Sequence, residues 1–485
     1  MSTITNTYLP VAAVLIAAGM LVSCENPLEE ETFSTLGPTN FFNSADDAEA
    51  LLNAVYANSQ GYRDILRDYL TFGEMTTDIM IERGGAINAL TQPIEDFRIE
   101  STHPWLEGLW TRYYSAIYRA NVVLDHVPDI DMNAARRDQI LAEARFLRAF
   151  NYLFLYDLWG PVPILQTSET SVTDRPTRPT DGEFVAFLEG ELRSVADVLP
   201  PTPTQFGRAT SGAALGFLTK FYLNNTKWSE AAGAAQEIIQ SGQYSIFNTG
   251  NRTDLFALEN ARTNNEFIYV VHFPDNPTGG LGNTYLSHTA PSGYQWKWPP
   301  KVIFAANFKI RSAFLETFDP EDERLDAFVF EYVNTSGDTL RLGVDDVRSF
   351  KYPEDPNGVG DVSGNDVPLV RYADILLSRA EALNEINGLN QESIDLVNEV
   401  REAAGVDPIT LAEYSSQAAL RDFILEERGR EFHTEALRRQ DFIRHGVFIE
   451  RALERGKQAL DHHVLYPIPQ SEIDRNPQLE QNEGY

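Results

Sequence analysis

The residues best suited to ligand chemistry form a short aromatic segment, Tyr294-Gln295-Trp296-Lys297-Trp298. Aromatic and polar side chains alternate over these five positions, and successive side chains of an extended strand point to opposite sides. If the segment is extended, Tyr294, Trp296 and Trp298 project from one side, beside a glycine-rich loop. The spacing therefore predicts a platform of three rings on which a ligand stacks. The alternative interpretation is that the three rings pack inward as core.

Residues for catalysis show no recognisable pattern. Glu143 with Arg148, or Glu381 with Arg379, could resemble catalytic carboxylate–arginine pairs. On tightly packed helices such charges more often pair across helices and serve the fold. The eight histidines contain no HExxH pattern, and His462-His463 is interpreted as a surface pair. With no GxSxG motif and no phosphate-binding loop ending in lysine, the sequence predicts no enzyme, no metal site and no cofactor.

The single cysteine, Cys24, follows an apolar run of about a dozen residues, 11–22. This run is too short to span a bilayer and is typical of the apolar region of a signal peptide, although residues 1–23 contain no Lys or Arg. Leu21-Val22-Ser23-Cys24 resembles a bacterial lipobox, in which the cysteine sulfur carries a diacylglycerol. We expect cleavage before Cys24 and lipid anchoring of the new terminus. The alternative is a buried terminal segment with an inert thiol.

The overall charge excludes other classes of function. The 485 residues contain 71 Asp and Glu against 39 Lys and Arg, a formal net charge of −32. Binding to nucleic acid or to an anionic membrane face needs clustered basic residues, so neither is expected. The 43% of hydrophobic residues is ordinary for a folded chain.

The elements that must hold the aromatic segment are mostly helices arranged in pairs. Apolar residues recur with helical spacing, and Gly and Pro punctuate the ends of the segments. The pair 209–224 and 228–240 resembles a tetratricopeptide unit in its length and its small alanines. The predicted helices are 46–59, 106–127, 133–159, 181–199, 209–224, 228–240, 371–387, 391–403 and 416–434.

Two stretches between these helices, 73–105 and 272–368, contain much of the Gly, Pro, Asn and Asp and are expected to be irregular. Short strands are predicted at 267–272 and 327–333. Helical repeats would then supply a scaffold, and the irregular insertions would supply its functional surface.

Seven segments, in order, resemble the RagB/SusD family of Bacteroidetes outer-membrane lipoproteins. The resemblance extends from Cys24 to Tyr485. The matching segments are Trp110 with Tyr113, Tyr114, Ile117 and Asn121; Glu143-Ala144-Arg145-Phe146-Leu147-Arg148-Ala149 through Trp159-Gly160-Pro161-Val162-Pro163; Gly207-Arg208-Ala209-Thr210; Asn265-Glu266; Arg371-Tyr372-Ala373-Asp374-Ile375-Leu376-Leu377; Glu427-Arg428 through Glu431 with Arg438 and Asp441; and the ending from Tyr466-Pro467-Ile468-Pro469 to Gly484-Tyr485.

The resemblance implies a mostly α, tetratricopeptide-like scaffold with long loop insertions that acts by capture and not by chemistry. Members of the RagB/SusD family lie on the cell surface over a TonB-dependent transporter barrel. They pass oligosaccharides or, in some branches, peptides to that transporter. The implied divisions are a signal peptide at 1–23, a lipidated tether at 24–45, an N-terminal helical region at 46–260, and a C-terminal region at 261–485 packed with it as one body. The alternatives are capture of a peptide or other nutrient, a helical-repeat scaffold, or a hydrolase.

In this family the loops form the ligand surface, and two segments here match in position. The first, 78–105, follows Glu74 and suggests Asp78, Arg83, Asn88 and Trp105 as contacts. Because Leu106 and Leu109 adjoin Trp105, a core position is the favoured interpretation of that ring. The second segment, 285–300, contains Tyr294, Trp296 and Trp298.

Overall fold

The computed structural model describes residues 42–60, 64–82, 84–85, 87–169, 171, 173–277, 281–303 and 306–485. The expected signal peptide, Cys24 and nearly all of the expected tether lie outside these residues, as does the candidate contact Arg83.

Helices make up most of the described chain, which confirms the predicted mostly α fold class. The long predicted helices are present with ends shifted by no more than three residues. Local signals explain several ends: Asn133 caps one helix by accepting the N–H of Arg136, and Gly160 ends the same helix at a positive φ of 71°. The helices are α1 (Ala45–Gln60), α2 (Ile65–Gly73), α3 (Asn88–Glu95), α4 (Pro104–His126), α5 (Ala134–Trp159), α6 (Asp181–Ala196), α7 (Ser211–Asn224), α8 (Trp228–Ser241), α9 (Leu258–Ala261), α10 (Tyr285–Thr289), α11 (Ser312–Leu315), α12 (Tyr372–Asn387), α13 (Gln391–Ala403), α14 (Gln417–Phe432), α15 (Arg438–Arg444), α16 (Phe448–Glu454) and α17 (Gln470–Arg475).

Helices that follow one another in the chain pack in pairs around one large core. The helix pairs α4–α5, α7–α8 and α12–α13 are in contact, and α8 packs on α12, so the two halves of the chain meet. Small residues allow close approach: a Cβ on Gly216 of α7 would lie 2.5 Å from a Val370 methyl carbon. This paired arrangement agrees with the tetratricopeptide-like scaffold expected from the sequence.

The strands are short and join distant parts of the chain. Strand β1 (Met80–Glu82) pairs antiparallel with β3 (Phe308–Ile310), and β2 (Phe267–Val271) pairs with β8 (Val367–Arg371). Strand β4 (Phe328–Val329) pairs with β7 (Arg348–Ser349), and β5 (Glu331–Val333) with β6 (Thr339–Arg341).

These strands confirm one sequence prediction and correct two. The predicted strand 267–272 is β2, whereas the predicted strand 327–333 is divided into β4 and β5 around Phe330. The stretch 73–105, expected to be irregular, contains α3 and β1. Strand β1 forms because it pairs with β3, which lies more than two hundred residues further along the chain. Local residue types do not encode such a pairing.

The carboxylates and arginines of the sequence motifs hold helices together. Glu143 accepts hydrogen bonds from Arg136 and Arg208, both at 3.1 Å, rather than pairing with Arg148. Arg148 binds Glu191 on the next helix at 2.8 Å. Glu381 likewise pairs with Arg444, at 2.6 and 2.9 Å. These ion pairs join α5, α6, α12 and α15 within the scaffold.

The most extensive of these networks is the buried ion cluster, centred on Glu431 of α14. Glu431 accepts hydrogen bonds from Arg252 at 2.5 Å, Arg371 at 3.0 Å and Arg324 at 3.1 Å. The carboxylate of Glu266 binds both Arg252 and Arg371. The cluster consists of Arg252, Glu266, Asp322, Arg324, Lys351, Arg371, Glu427, Glu431 and Glu435. All nine side chains are at least nine-tenths buried.

Paired cations keep the buried carboxylates ionised. Burial opposes the charge on Glu431, but Arg252, Arg371 and Arg324 outweigh it and hold the pKa of Glu431 well below its usual range. The same balance, with Arg324, Arg430 and Arg401 as the cations, lowers the pKa of Glu427 to about 2. Because these folded-state pKa values lie below the unfolded value of about 4.3, the stabilisation is present above that pH and is lost as the pH falls through the folded values.

Substitution of Glu431 by Gln is expected to lower the free energy of unfolding by about 3–5 kcal/mol, because three buried cations lose their shared anion. The matched control is Glu237→Gln, which removes an anion from an ion pair with Arg193 that is about half exposed. We expect that control to cost less than about 1 kcal/mol. Urea denaturation of both variants measures the difference, and equal losses would contradict a supporting role for the cluster.

Candidate functional site

The aromatic segment is held in an extended form beside the hairpin β5–β6. Tyr294 bridges Asn334, and the Gln295 N–H donates to the Val333 carbonyl at 3.0 Å. Exposure alternates along the segment: Tyr294, Trp296 and Trp298 are half-buried, whereas Gln295 and Lys297 are exposed. The three rings therefore lie on the more protected side of an extended segment.

These rings pack partly against the protein and partly against one another. The Tyr294 ring lies 5.1 Å from Trp296 and 5.3 Å from Phe350, both edge to face. The Lys297 ammonium lies 4.1 Å from the Trp298 ring centre. Tyr294 and Trp296 thus pack within the loop and help to hold its shape. Ligand contact by the three rings stays a prediction.

Glu354 holds the aromatic segment in place through two hydrogen bonds. Its carboxylate accepts the Tyr294 hydroxyl at 3.0 Å and the Lys297 backbone N–H, also at 3.0 Å. Burial first, and then the charge of Glu354, raises the pKa of the Tyr294 hydroxyl, so that hydroxyl stays protonated and donates. One carboxylate therefore sets both the ring position and the backbone path.

A cleft of about 520 Å³, called the insertion cleft, opens next to residues 291–293, which precede the aromatic segment. None of Tyr294, Trp296 and Trp298 is among its lining residues. Both sequence-predicted loops contribute to it, the first through Gly85 and the second through residues 291–293. Tyr332 of β5 and Leu342 add apolar walls. The cleft therefore combines a ring and aliphatic surface with the polar groups described next.

The charged wall of the insertion cleft consists of Lys309, Asp346 and Arg348. Lys309 on β3 and Arg348 on β7 both lie near the same Asp346 oxygen, at 2.9 and 3.0 Å. Strands β3 and β7 are adjacent, since Ile310 bridges Val347. These residues lie in the predicted irregular stretch 272–368 but outside the segments 78–105 and 285–300, so sequence reasoning did not single them out. The only local signal was a cation alternating with buried apolar residues, as in Phe308-Lys309-Ile310.

The candidates of the first loop lie elsewhere or have other partners. Asp78 binds Arg438 through both carboxylate oxygens, at 2.9 and 2.8 Å. Burial raises the pKa of Asp78, but the Arg438 guanidinium outweighs burial and lowers it overall. Asn88 accepts the Gly84 N–H at 3.2 Å and so shapes the turn next to Gly85. Neither Asp78 nor Asn88 is among the residues lining the insertion cleft.

Trp105 is half-buried, packs against the main core, and has the Arg67 guanidinium 4.4 Å from its ring centre. This placement agrees with the favoured core interpretation. Glu74 is wholly buried and accepts the backbone N–H groups of residues 434–436 at 2.8–3.0 Å. Trp105 and Glu74 therefore contribute to the packing of the scaffold.

Two further kinds of site are not supported within the described part of the chain. No group of three or more His, Cys, Asp and Glu side chains there is placed to hold a metal ion. Of the helices described, none combines the length and the apolar character needed to cross a bilayer. The described structure is a helical scaffold that carries, on inserted loops, a cleft lined by Tyr332, aliphatic residues and charged groups.

Comparison with known proteins places this chain in a family. Residues 28–223 match the family described as "Starch-binding associating with outer membrane", and residues 347–459 and 446–485 match the SusD family. The chain belongs to the RagB/SusD family, as the sequence motifs indicated.

Individual relatives agree over nearly the full length. The SusD-like protein P38 of Formosa agariphila is 26% identical, covering 97% of this chain and 98% of its own. The starch-binding protein SusD of Bacteroides thetaiotaomicron is 25% identical over 78% of each chain. The fold is similar to that of surface glycan-binding protein A of Bacteroides thetaiotaomicron, which was solved with laminarihexaose. The TM-score is 0.74 at 22% identity, and the match covers 91% of this chain and 100% of that one.

Replacing Glu354 by Ala is expected to free the aromatic segment, because Tyr294 and Lys297 lose their shared acceptor. Amide hydrogen exchange over residues 294–298 should speed up while exchange in the α4–α5 pair stays unchanged. Glu321→Ala, at an exposed turn, is the matched control. Unchanged exchange at 294–298 in Glu354→Ala would contradict the fastening role.

Proposed function

We propose that this protein is a cell-surface lipoprotein that captures oligosaccharide or polysaccharide and delivers it to a partner TonB-dependent outer-membrane transporter. The observation that carries the proposal is the aromatic segment 294–298, held extended just after residues 291–293 of a cleft that Tyr332 and charged groups also line. Family membership and the glycan ligands named for relatives support the same conclusion.

The chemistry of the insertion cleft suits a sugar ring. A pyranose has an apolar face of C–H groups that stacks on an aromatic ring, while its hydroxyls need hydrogen-bonding partners at the edge. Tyr332 and the neighbouring Tyr294 and Trp296 offer rings, and Lys309, Asp346 and Arg348 offer donors and acceptors. Each aromatic contact contributes about 0.5–1.5 kcal/mol beyond area burial, so several rings are needed for useful affinity.

Binding without turnover fits the placement of the carboxylates. The acidic residues of the sequence motifs, Glu143, Glu381 and Glu431, are buried and paired with arginines in the scaffold. Asp346, the carboxylate lining the charged wall, is shared by two cations. A glycosidase instead uses two carboxyl groups that flank the bond to be broken.

Replacement of Trp296 and Trp298 by Ala together is expected to weaken glycan retention by about tenfold, the loss of roughly 1–2 kcal/mol of ring contact. Affinity electrophoresis in gels containing laminarin, starch or other polysaccharides measures it. Tyr118→Ala, half exposed on α4, is the control for removing a surface ring. Release of sugar product, or retention of peptides alone, would contradict the proposal.

Substitution of Cys24 by Ala is expected to move the protein from the membrane fraction to the soluble fraction, because the acyl chains would have no attachment point. Ser23→Ala keeps a small residue before the cysteine and is the matched control. Detergent partitioning of labelled cells measures the anchor. Isolation of the anchored protein together with a TonB-dependent transporter would support the delivery step.

A further inference from the structure

We propose that the insertion cleft selects acidic glycans, by binding a sugar carboxylate or sulfate group on Arg348 and Lys309. This inference rests on the proposed function and specifies the class of glycan. Carboxylate and sulfate share the chemistry that matters here, a flat or tripodal set of anionic oxygens that accept from a guanidinium.

Arg348 is the first observation, because it is buried with spare hydrogen-bonding capacity. Its side chain is 4% exposed, yet it lines the cleft. One terminal nitrogen lies 3.0 Å from Asp346, and the other donates to the Phe308 carbonyl at a long 3.5 Å. Within the described residues, no acceptor satisfies the Nε–H. A guanidinium has five N–H donors, and leaving one buried without a partner is costly.

The local charge balance is the second observation. Lys309 and Arg348 share the carboxylate of Asp346, so the three charged residues that line the cleft carry one net positive charge. Glu82 on the paired strand β1 also interacts with Lys309 but does not line the cleft. Burial lowers the pKa of Arg348, and Asp346 only partly offsets that effect. An anionic ligand oxygen in the cleft would give Lys309 and Arg348 a further acceptor and neutralise the net charge of the wall.

The location of this surplus charge matters because the whole chain carries −32. Such a protein repels acidic polysaccharides over most of its surface, at distances up to about a Debye length. A cationic wall inside a cleft is therefore the place where an acidic chain can be held. A charge-assisted hydrogen bond is roughly twice as strong as one to a neutral hydroxyl, which favours acidic over neutral sugars.

The test compares pairs of glycans that differ chiefly in charge. Polygalacturonate and its methyl ester form the carboxylate pair, and carrageenan and agarose approximate a sulfate pair. Affinity electrophoresis and calorimetry of the full chain should show tighter binding of the acidic member, weakened by added salt. Binding confined to the first pair identifies a carboxylate ligand, and binding confined to the second identifies a sulfate.

Two substitutions with opposite expected signs protect the test against misfolding. Lys309→Gln should weaken acidic-glycan binding about tenfold, through loss of a charge-assisted contact. Asp346→Asn should strengthen it, because the competing carboxylate is removed. Arg341→Gln and Glu331→Gln, at exposed positions of the hairpin β5–β6 that do not line the cleft, make the same changes in net charge and should have little effect.

Equal binding of acidic and neutral partners would overturn the inference while leaving glycan capture intact. Weakening of acidic-glycan binding by Asp346→Asn would also overturn it. Absence of binding to every polysaccharide tested would overturn the proposed function and the inference together.

Discussion

The buried ion cluster around Glu431 is the interaction on which the rest of the structure depends. It joins Arg252 after α8, Glu266 before β2, Arg371 at the end of β8 and Glu431 in α14. Each charge in this cluster would be very costly alone, because burial removes its hydration. The free-energy cost is offset only when all these segments meet at once. The cluster therefore favours one arrangement of the chain over alternatives that would leave a buried charge unpaired.

The same cluster also positions the inserted stretch 272–368, which contains most of the insertion cleft. Lys351 follows β7 by two residues, and its ammonium donates to the carbonyls of Glu431 and His433 and to the Glu435 carboxylate. Arg348 of the insertion cleft is thus three residues away from a buried, charged contact with the scaffold. Burial lowers the pKa of Lys351 to about 8, with Glu435 opposing that change. A cleft wall held in this way can keep its geometry without a ligand.

Scaffold and cleft follow different physical rules. The helix pairs are stabilised by apolar burial and close packing around one core, and their charged residues are paired across helices. The insertion instead uses strands of two to five residues, an extended aromatic segment and one shared carboxylate, Asp346. Short strands bury little area themselves, so their placement depends on the scaffold beneath. The cleft therefore presents the ring of Tyr332 and the incompletely paired Arg348.

The sequence by itself determined the helical class, most helix ends, the family and the alternation along 294–298. Those features depend on local periodicity, capping residues and motifs, which neighbouring residues encode. The tertiary structure alone decided that Asp78 binds Arg438 and that Lys309, Asp346 and Arg348 form one wall. Strands of two or three residues carry almost no local signal, and long-range pairing sets their register. The charged wall of the cleft is built from such strands, so its residues could be recognised only after folding brought them together.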